Sequence, residues 1–556
     1  MDPKPEAWAP DFTPHAWSPR DLRFLEPFAT NPGGLITVLR NLPPEIVGAL
    51  CSRASRAEGS LLEVFLREYI YPIVDGDDTE LAAELESTVA FLAQRGFRNI
   101  LNNHRAQAFY ARWLSQYGDD SIAQMTGTHV LLWGVSQVAL KFIEDQRVGL
   151  EPIEKSTRYV NFGHKVAGRY LYYVPAPDLE RLGRREDYLR TLDRLFDTYV
   201  ALLAPLKRWL RSNFDESDAI LEKKAFDTLR GLLPMATVGQ VALRGNAQAF
   251  EYLLNRTARH RLGELRWFSQ ALKRELDQEI PSLLLRLGDA KAGDYQDYLA
   301  GREESVREYL DKAGLATPPA PHETAVRLVE WDPEAETKVL AGILFSSGCL
   351  GWDQALDQAR GLPPKDREEI FERYLGGRKA RWYKAGRALE NAYLRFEIVM
   401  DIGSYRDLHR HRMMTQQRQH FSAAHGYHTP HEIEDAGIGD RWGEALEEAG
   451  ALATSLAGTD PLLAQYAVPL AFRVRFHQWQ NFRQFFWEAE LRTISQGHPS
   501  YRAIEQEKYR QVRERFPLLA RFAQADLDDY PIARRGTEDR IRQKEERIAS
   551  GLRSRR

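Results

Sequence analysis

The 556-residue sequence is poor in cysteine, in long apolar runs and in any excess of one charge. Two cysteines, Cys51 and Cys349, cannot build a disulfide framework or a four-thiolate zinc or iron–sulfur centre. Both read instead as small apolar residues of the interior. The most apolar stretch, residues 129–142, is interrupted by Ser136 and Gln137 and falls short of the ~20 residues of a membrane span. Asp2, Pro3, Pro5 and Glu6 stand where a secretory signal has its apolar centre, so the expected compartment is the cytoplasm, with no membrane partner. The 79 acidic and 76 basic side chains leave a net charge of −3. That balance provides no field for a polyanion and argues against nucleic acid as a partner. What is present, 43% hydrophobic and 28% charged residues, is the composition of a globular protein rather than a fibrous or disordered one.

Helical periodicity dominates residues 44–116, for example around Leu61, Leu62, Val64, Phe65 and Leu66, and again from Leu81 to Leu92. Residues 1–45, rich in proline and aromatics, read as an arm that packs on the body. Helical patterns at Arg185–Phe214 and Asn246–Leu276 frame a strand-like segment near Leu232–Val241. Three prolines in four positions (Pro318, Pro319, Pro321) mark a linker, after which Ala325–Trp331 reads as a strand. The pattern Leu389, Tyr393, Phe396, Met400 predicts a helix that leads into Gly403. The last residues form a charged, solvated tail.

The linker divides the chain into parts of similar size, and the parts repeat. Arg230-Gly-Leu-Leu-Pro234 answers to Gln465-Tyr-Ala-Val-Pro469, Asn246-Ala-Gln248 to Asn481-Phe-Arg483, and Leu254-Asn-Arg256 to Glu490-Leu-Arg492. The two prolines are 235 positions apart and the two last arginines 236.

Two clusters carry the chemistry. Arg406, His409, Arg410, His411 and Arg412 put five cationic or near-cationic groups within seven residues, which repel one another unless an anion sits among them. Guanidinium groups grip phosphate bidentately, so a nucleotide phosphate suits them, against the alternative of a solvated charged face. The same arginines oppose a metal at His409 and His411, and no metal is expected. In the second cluster, Glu154, Ser156 and Arg158 point to one side if Pro152 keeps the chain extended. A hydroxyl and a guanidinium there suit a phosphate, and the carboxylate a sugar hydroxyl; a Glu154–Arg158 surface ion pair is the plainer alternative.

Together, Arg410-His411-Arg412 and Ser156-Thr157-Arg158 resemble the flavin-dependent thymidylate synthases, whose signature is Arg-His-Arg, seven residues, then Ser-x-Arg. Two copies of the pattern cover roughly residues 110–276 and 378–512. The first keeps Ser156 and Arg158 but has Asp145-Gln146-Arg147 and a small insertion in place of Arg-His-Arg. The second keeps Arg410-His411-Arg412 but has His420 and Ser422 where Ser and Arg belong. Likewise Arg230 faces Gln465, and Arg483 faces Gln248. The landmarks sort into a nucleotide half and a flavin half.

The resemblance implies an α/β (α+β) fold in two tandem copies, helices packed on a mixed sheet. The first copy with its arm spans 1–320, the second 321–530, and the charged tail 531–556. It implies FAD-dependent methylation of dUMP to dTMP, with methylenetetrahydrofolate and NADPH as co-substrates, in a homodimer holding four copies. The cofactor would lie on Arg387, Glu390, Arg410, His411, Arg412, Asn481 and Arg483. The substrate would lie on Glu154, Ser156, Arg158, Arg230 and Arg492, with Arg492 the catalytic arginine at the pyrimidine ring. Neither copy holds the histidines of the family's Gly-His-x-Ser/Thr-x-x-Glu-His element, read at Gly118–Met125 and Gly386–Asn391. Asp407 replaces a glutamine and Trp487 an asparagine. These departures keep two alternatives open: the same chemistry on another uracil-bearing substrate, and a non-catalytic nucleotide- or flavin-binding homologue.

Overall fold

In each repeat a strand of alternately buried side chains runs directly into a short helix, and the polar residue at that junction caps the helix. The computed structural model describes residues 4–12, 15–57, 59–96, 103–116, 118, 120–315, 322–533, 543–544, 546–548 and 550. The proline linker from residue 316 to 321 and most of the charged tail lie outside these. Among the described residues no helix is long and apolar enough to cross a membrane.

The chain forms two compact units, and they are not linear halves. One comprises Met1–Ala201, Leu232–Pro319 and Gly443–Pro469; the other comprises Leu202–Gly231, Ala320–Trp442 and Leu470–Arg556. Each unit therefore includes a segment from the other half of the sequence.

The first unit is built on strands β1 (Ile36–Leu39), β2 (Gly127–Ser136), β3 (Leu150–Glu154) and β4 (Val238–Asn246), in the order β1-β2-β4-β3. The second has β5 (Ala325–Trp331), β6 (Tyr393–Asp401), β7 (Thr415–Arg418) and β8 (Arg473–Asn481), in the matching order β5-β6-β8-β7. Every pairing in the two sheets is antiparallel, not mixed as the sequence suggested. Strands β2 and β3 each pair antiparallel with β4 between them, so they run in the same direction and are joined by a crossover through the short helix Gln137–Glu144. The Leu389–Met400 pattern is also a strand rather than a helix. Leu394, Phe396, Ile398 and Met400 are buried, a period of two that outweighs the weaker helical spacing.

The registers equate the repeats residue by residue. Lys155 donates its backbone N–H to the Gln240 carbonyl, and Gln419 does the same to that of Arg475, both at 2.9 Å. Ser156 and Arg158 therefore correspond to His420 and Ser422. The first repeat's extra residue is absorbed between its short helix and β3, where Arg147 (φ 57°) and Gly149 (φ 78°) adopt left-handed conformations. A Cβ on Gly149 would lie 2.8 Å from that of Ala249, so glycine is required there on two counts.

The N-terminal arm does pack on the body. Trp8 is buried, its Nε1 donates to Asp178 at 2.7 Å, and its ring lies where a side chain on Gly263 would be. Helices between Pro19 and Gln94 cover one face of the sheet through Phe24, Leu50, Phe65 and Leu131.

Helix Gly263–Asp277 opens on Glu264, a fully buried carboxyl. It accepts from the Ser136 N–H (2.7 Å), the Ser136 hydroxyl (2.6 Å) and the Tyr466 hydroxyl (2.8 Å). Burial outweighs these donors and pushes its pKa up to about 7. Because the native pKa is the higher one, the stabilisation is complete below the unfolded value and is lost as pH rises towards 7. Relative to Glu264→Gln, the wild type should lose about 3 kcal/mol of stability between pH 4.5 and 7.5. Urea unfolding of both proteins across that range is the check; a constant difference would show that Glu264 ionises normally.

Candidate active site

Strand β8 ends at Asn481, whose side chain accepts the Gln484 N–H at 2.9 Å and caps helix Phe482–Arg492. This junction aims Arg483 and Gln484 to one side. The Arg483 guanidinium donates to the Ala385 carbonyl (3.0 Å) and to Glu390 (2.5 Å), and Glu390 also meets Arg387 at 3.4 Å. These groups border a cavity of about 380 Å³ whose walls also include Arg378, Arg381, Lys384, Trp487 and Glu490. Arg378 grips Glu490 bidentately, at 2.8 and 2.7 Å, with both side chains almost wholly buried. Of the expected cofactor residues, Glu390, Asn481 and Arg483 line this cavity, while Arg387 is exposed and meets Glu390 without lining it.

Gln484 links the cavity to the Arg-His-Arg segment. Its amide lies 3.2 Å from Nδ1 of the buried His411, and Nε of Arg492 donates to His411 Nε2 at 2.8 Å. A guanidinium only donates, so Nε2 is an acceptor, the ring proton sits on Nδ1, and Gln484 must present its amide oxygen. Burial, reinforced by Arg492 and Lys508 and opposed by Glu488, pushes the His411 pKa down to about 3. The imidazole is neutral at physiological pH and serves to orient Arg492. That arginine is half-buried, and its two terminal nitrogens have no hydrogen-bond partner among the described residues. They are available to an incoming oxygen.

Below His411 lies a fully buried ion cluster. The Lys508 ammonium donates to Gln478 (2.8 Å), Glu488 (2.7 Å) and Glu505 (3.0 Å), using all its protons. Lys508 keeps Glu488 ionised, whereas burial beside Glu488 pushes Glu505 up to about 8.

Arg410 is 45% exposed and lies 3.7 Å from Asp407; Arg412 is half-buried. Asp407 is also 3.7 Å from Arg230, a first-repeat residue that this unit holds at 4% exposure. Arg230 donates to the Ser404 hydroxyl at 3.3 Å and lies 3.6 Å from Asp227, which pairs with His498 at 3.6 Å. Among the described residues, no group of three His, Cys, Asp or Glu side chains is placed to hold a metal.

Glu154, Ser156 and Arg158 belong to the other unit. Glu154 is buried against the Lys141 ammonium at 3.3 Å. The Ser156 hydroxyl accepts the Arg158 N–H at 3.2 Å, and the buried Arg158 guanidinium lies 5.4 Å from the Tyr159 ring centroid.

Arg378, Arg381, Lys384, Gln484 and His498 went unread in the sequence. Its available signal was the basic and aromatic run Arg378-Lys-Ala-Arg-Trp-Tyr-Lys384, set between Gly377 and Gly386.

Replacing Lys508 by Met should cost about 3–5 kcal/mol at pH 7.5, the scale for removing one partner of a buried ion cluster. The loss should shrink at pH 5, where the abandoned Glu488 takes up a proton. Urea midpoints at the two pH values test this; an equal loss at both would mean that Lys508 acts through packing alone.

The sequence profile of the family described as "thymidylate synthase complementing protein" matches residues 79–282 and 328–518, one match in each repeat. A UPF0159 protein of Chlamydia pneumoniae is 33% identical over 527 residues, covering 93% of this chain and 96% of its own. One from Chlamydia muridarum is 33% identical over 529 residues, with 93% and 97% covered. One from Thermoplasma acidophilum is 28% identical over 480 residues, with 79% and 93% covered. Among solved structures, a UMP/dUMP methylase from Streptomyces cacaoi aligns with 37% of this chain and 96% of its own, at 14% identity and a TM-score of 0.30, a likeness too slight to carry an argument. With its signature split between two repeats, each matched by the same profile, the chain belongs to the thymidylate synthase complementing proteins, the flavin-dependent thymidylate synthase family, as two diverged tandem copies.

Proposed function

We propose that the chain catalyses FAD-dependent reductive methylation of dUMP to dTMP, with methylenetetrahydrofolate as carbon donor and NADPH as reductant, at a site drawing on both repeats. The observation that carries this reading is the burial of Arg230, from the first repeat, against Ser404 and Asp407 of the second repeat's Arg-His-Arg segment. Its ion pairs are long, 3.6 and 3.7 Å, and a substrate phosphate competes well for such a guanidinium.

The residues fit the cofactor. Around the cavity, Arg378, Arg381, Lys384 and Arg483 face only Glu390 and Glu490, leaving two positive charges for a diphosphate. Asn481, Arg483 and Glu390 would hold the cofactor there, with Arg387, Arg410, His411 and Arg412 meeting the parts of it that extend beyond the cavity. FAD, when bound, supplies hydride chemistry that no side chain can provide. Arg492, aimed by neutral His411, donates its terminal N–H groups to the pyrimidine carbonyl on which negative charge develops. Glu154, Ser156 and Arg158 complete the nucleotide-phosphate half, and two chains assemble as a homodimer in the cytoplasm.

Release of tritium from C5 of labelled dUMP, on adding methylenetetrahydrofolate and NADPH to FAD-loaded protein, tests the reading. Arg492→Ala should lower turnover by about 100- to 1000-fold, the scale for losing one donor to a developing oxyanion. Arg256→Ala, its first-repeat counterpart, should change turnover only a few-fold. No exchange from flavin-loaded wild type would transfer the chemistry to another uracil-bearing substrate, for which Asp407, tied to Arg230 and Arg410 in place of a free amide, is the first residue to question.

A further inference from the structure

Trp487 lines the cavity, half-buried, with the Lys384 ammonium only 3.0 Å from the centroid of its ring. Lys384 is itself exposed and borders the same cavity, so the indole face it covers looks into that space. A cation on an aromatic face is held by the ring quadrupole, and a flat heteroaromatic ring can take the same place. Arg378 and Arg483 have carboxylate partners, whereas neither Arg381 nor Lys384 has an ion pair among the described residues. The cavity thus offers a stacking surface beside two uncommitted cations, the recognition elements of one nucleotide: a base and its phosphate. Its volume of about 380 Å³ lies near the low end of the ~300–1,000 Å³ usual for ligand sites, which suits a nucleotide moiety better than a whole dinucleotide.

Helix geometry decides which ring this is. Trp487 and Arg492 are five residues apart on one helix, about 140° around its axis at ~100° per residue. Neither His411 nor Arg492 borders the cavity; Gln484 stands between them and it. A ring on Trp487 is therefore not the ring that reacts beside Arg492.

We propose that Trp487 is the stacking platform for the adenine of FAD, with Lys384 and Arg381 taking the adjoining phosphate. This rests on the flavin reading above. When the adenine docks, Lys384 leaves the indole face and turns to the phosphate. The position gives the second repeat a preference for FAD over FMN, which lacks the adenylate.

The test is affinity for FAD and for FMN, read from flavin fluorescence, in wild type, Trp487→Ala and Trp487→Phe, with melting curves to establish that the variants fold. Trp487→Ala should weaken FAD about tenfold or more, the scale of one base–aromatic stack, and leave FMN unchanged. Trp487→Phe should restore most of the loss. An equal loss for FAD and FMN would overturn the assignment, because the flavin ring would then be the stacked one. So would unchanged FAD affinity accompanied by a raised KM for NADPH, which would give the platform to the reductant. A wild type that binds neither flavin would instead refute the flavin reading itself.

Discussion

The ammonium of Lys508 organises the unit that carries the Arg410-His411-Arg412 segment. Its three protons go to Gln478 on β8, Glu488 on helix Phe482–Arg492 and Glu505 on helix Pro499–Arg515, and none of these charged groups reaches solvent. Those elements also carry groups of the candidate site: Asn481 at the end of the strand, and Arg483 and Arg492 on the first helix. An unpaired charge in that environment is prohibitively costly, so the three elements are held at one separation. His411 rests on this base, is kept neutral chiefly by its burial, and in that state fixes the direction of Arg492.

The repeats share a scaffold and differ in chemistry. Asn246 and Asn481 cap equivalent helices, and Arg256 donates to Gln146 much as Arg492 donates to His411. Counting from the two caps, Gln248 occupies the place of Arg483, whereas Arg256 and Thr257 match Arg492 and Thr493 at the far end, so the second repeat has one extra residue between the cap and that arginine. In the first repeat Glu251 and Asp120 bind Arg286, so charge that faces a cavity in the second repeat is neutralised by its own neighbours in the first. Arg230 shows the complementary trend. It is first-repeat sequence, yet it folds within the unit that holds Arg410-His411-Arg412.

Much of this was legible in the sequence because it is written in local patterns. The repeat, the strand at Ala325–Trp331 and the helix beginning at Arg185 follow from spacing and prolines. Both signature halves were visible as residue types at fixed intervals. What the sequence concealed depends on contacts distant along the chain. The exchange of segments between the units leaves no mark in composition. The role of Gln484 needs the tautomer of His411, which Arg492 sets from 81 residues away. Segment Tyr393–Asp401 contains both a helical and a two-residue spacing, and its pairing with β5 and β8 decides between them. Trp487 read as a departure from a family pattern; only the cavity beside it and Lys384 above it give it a purpose.

In the proposed division of labour, only the second repeat would hold flavin. The ratio of flavin to polypeptide measures it directly: saturate the full chain with FAD, remove the excess, denature, and compare released FAD with chain concentration. One FAD per chain is the expected result. Two per chain would mean that the first repeat binds flavin despite Gln248, and would contradict that division.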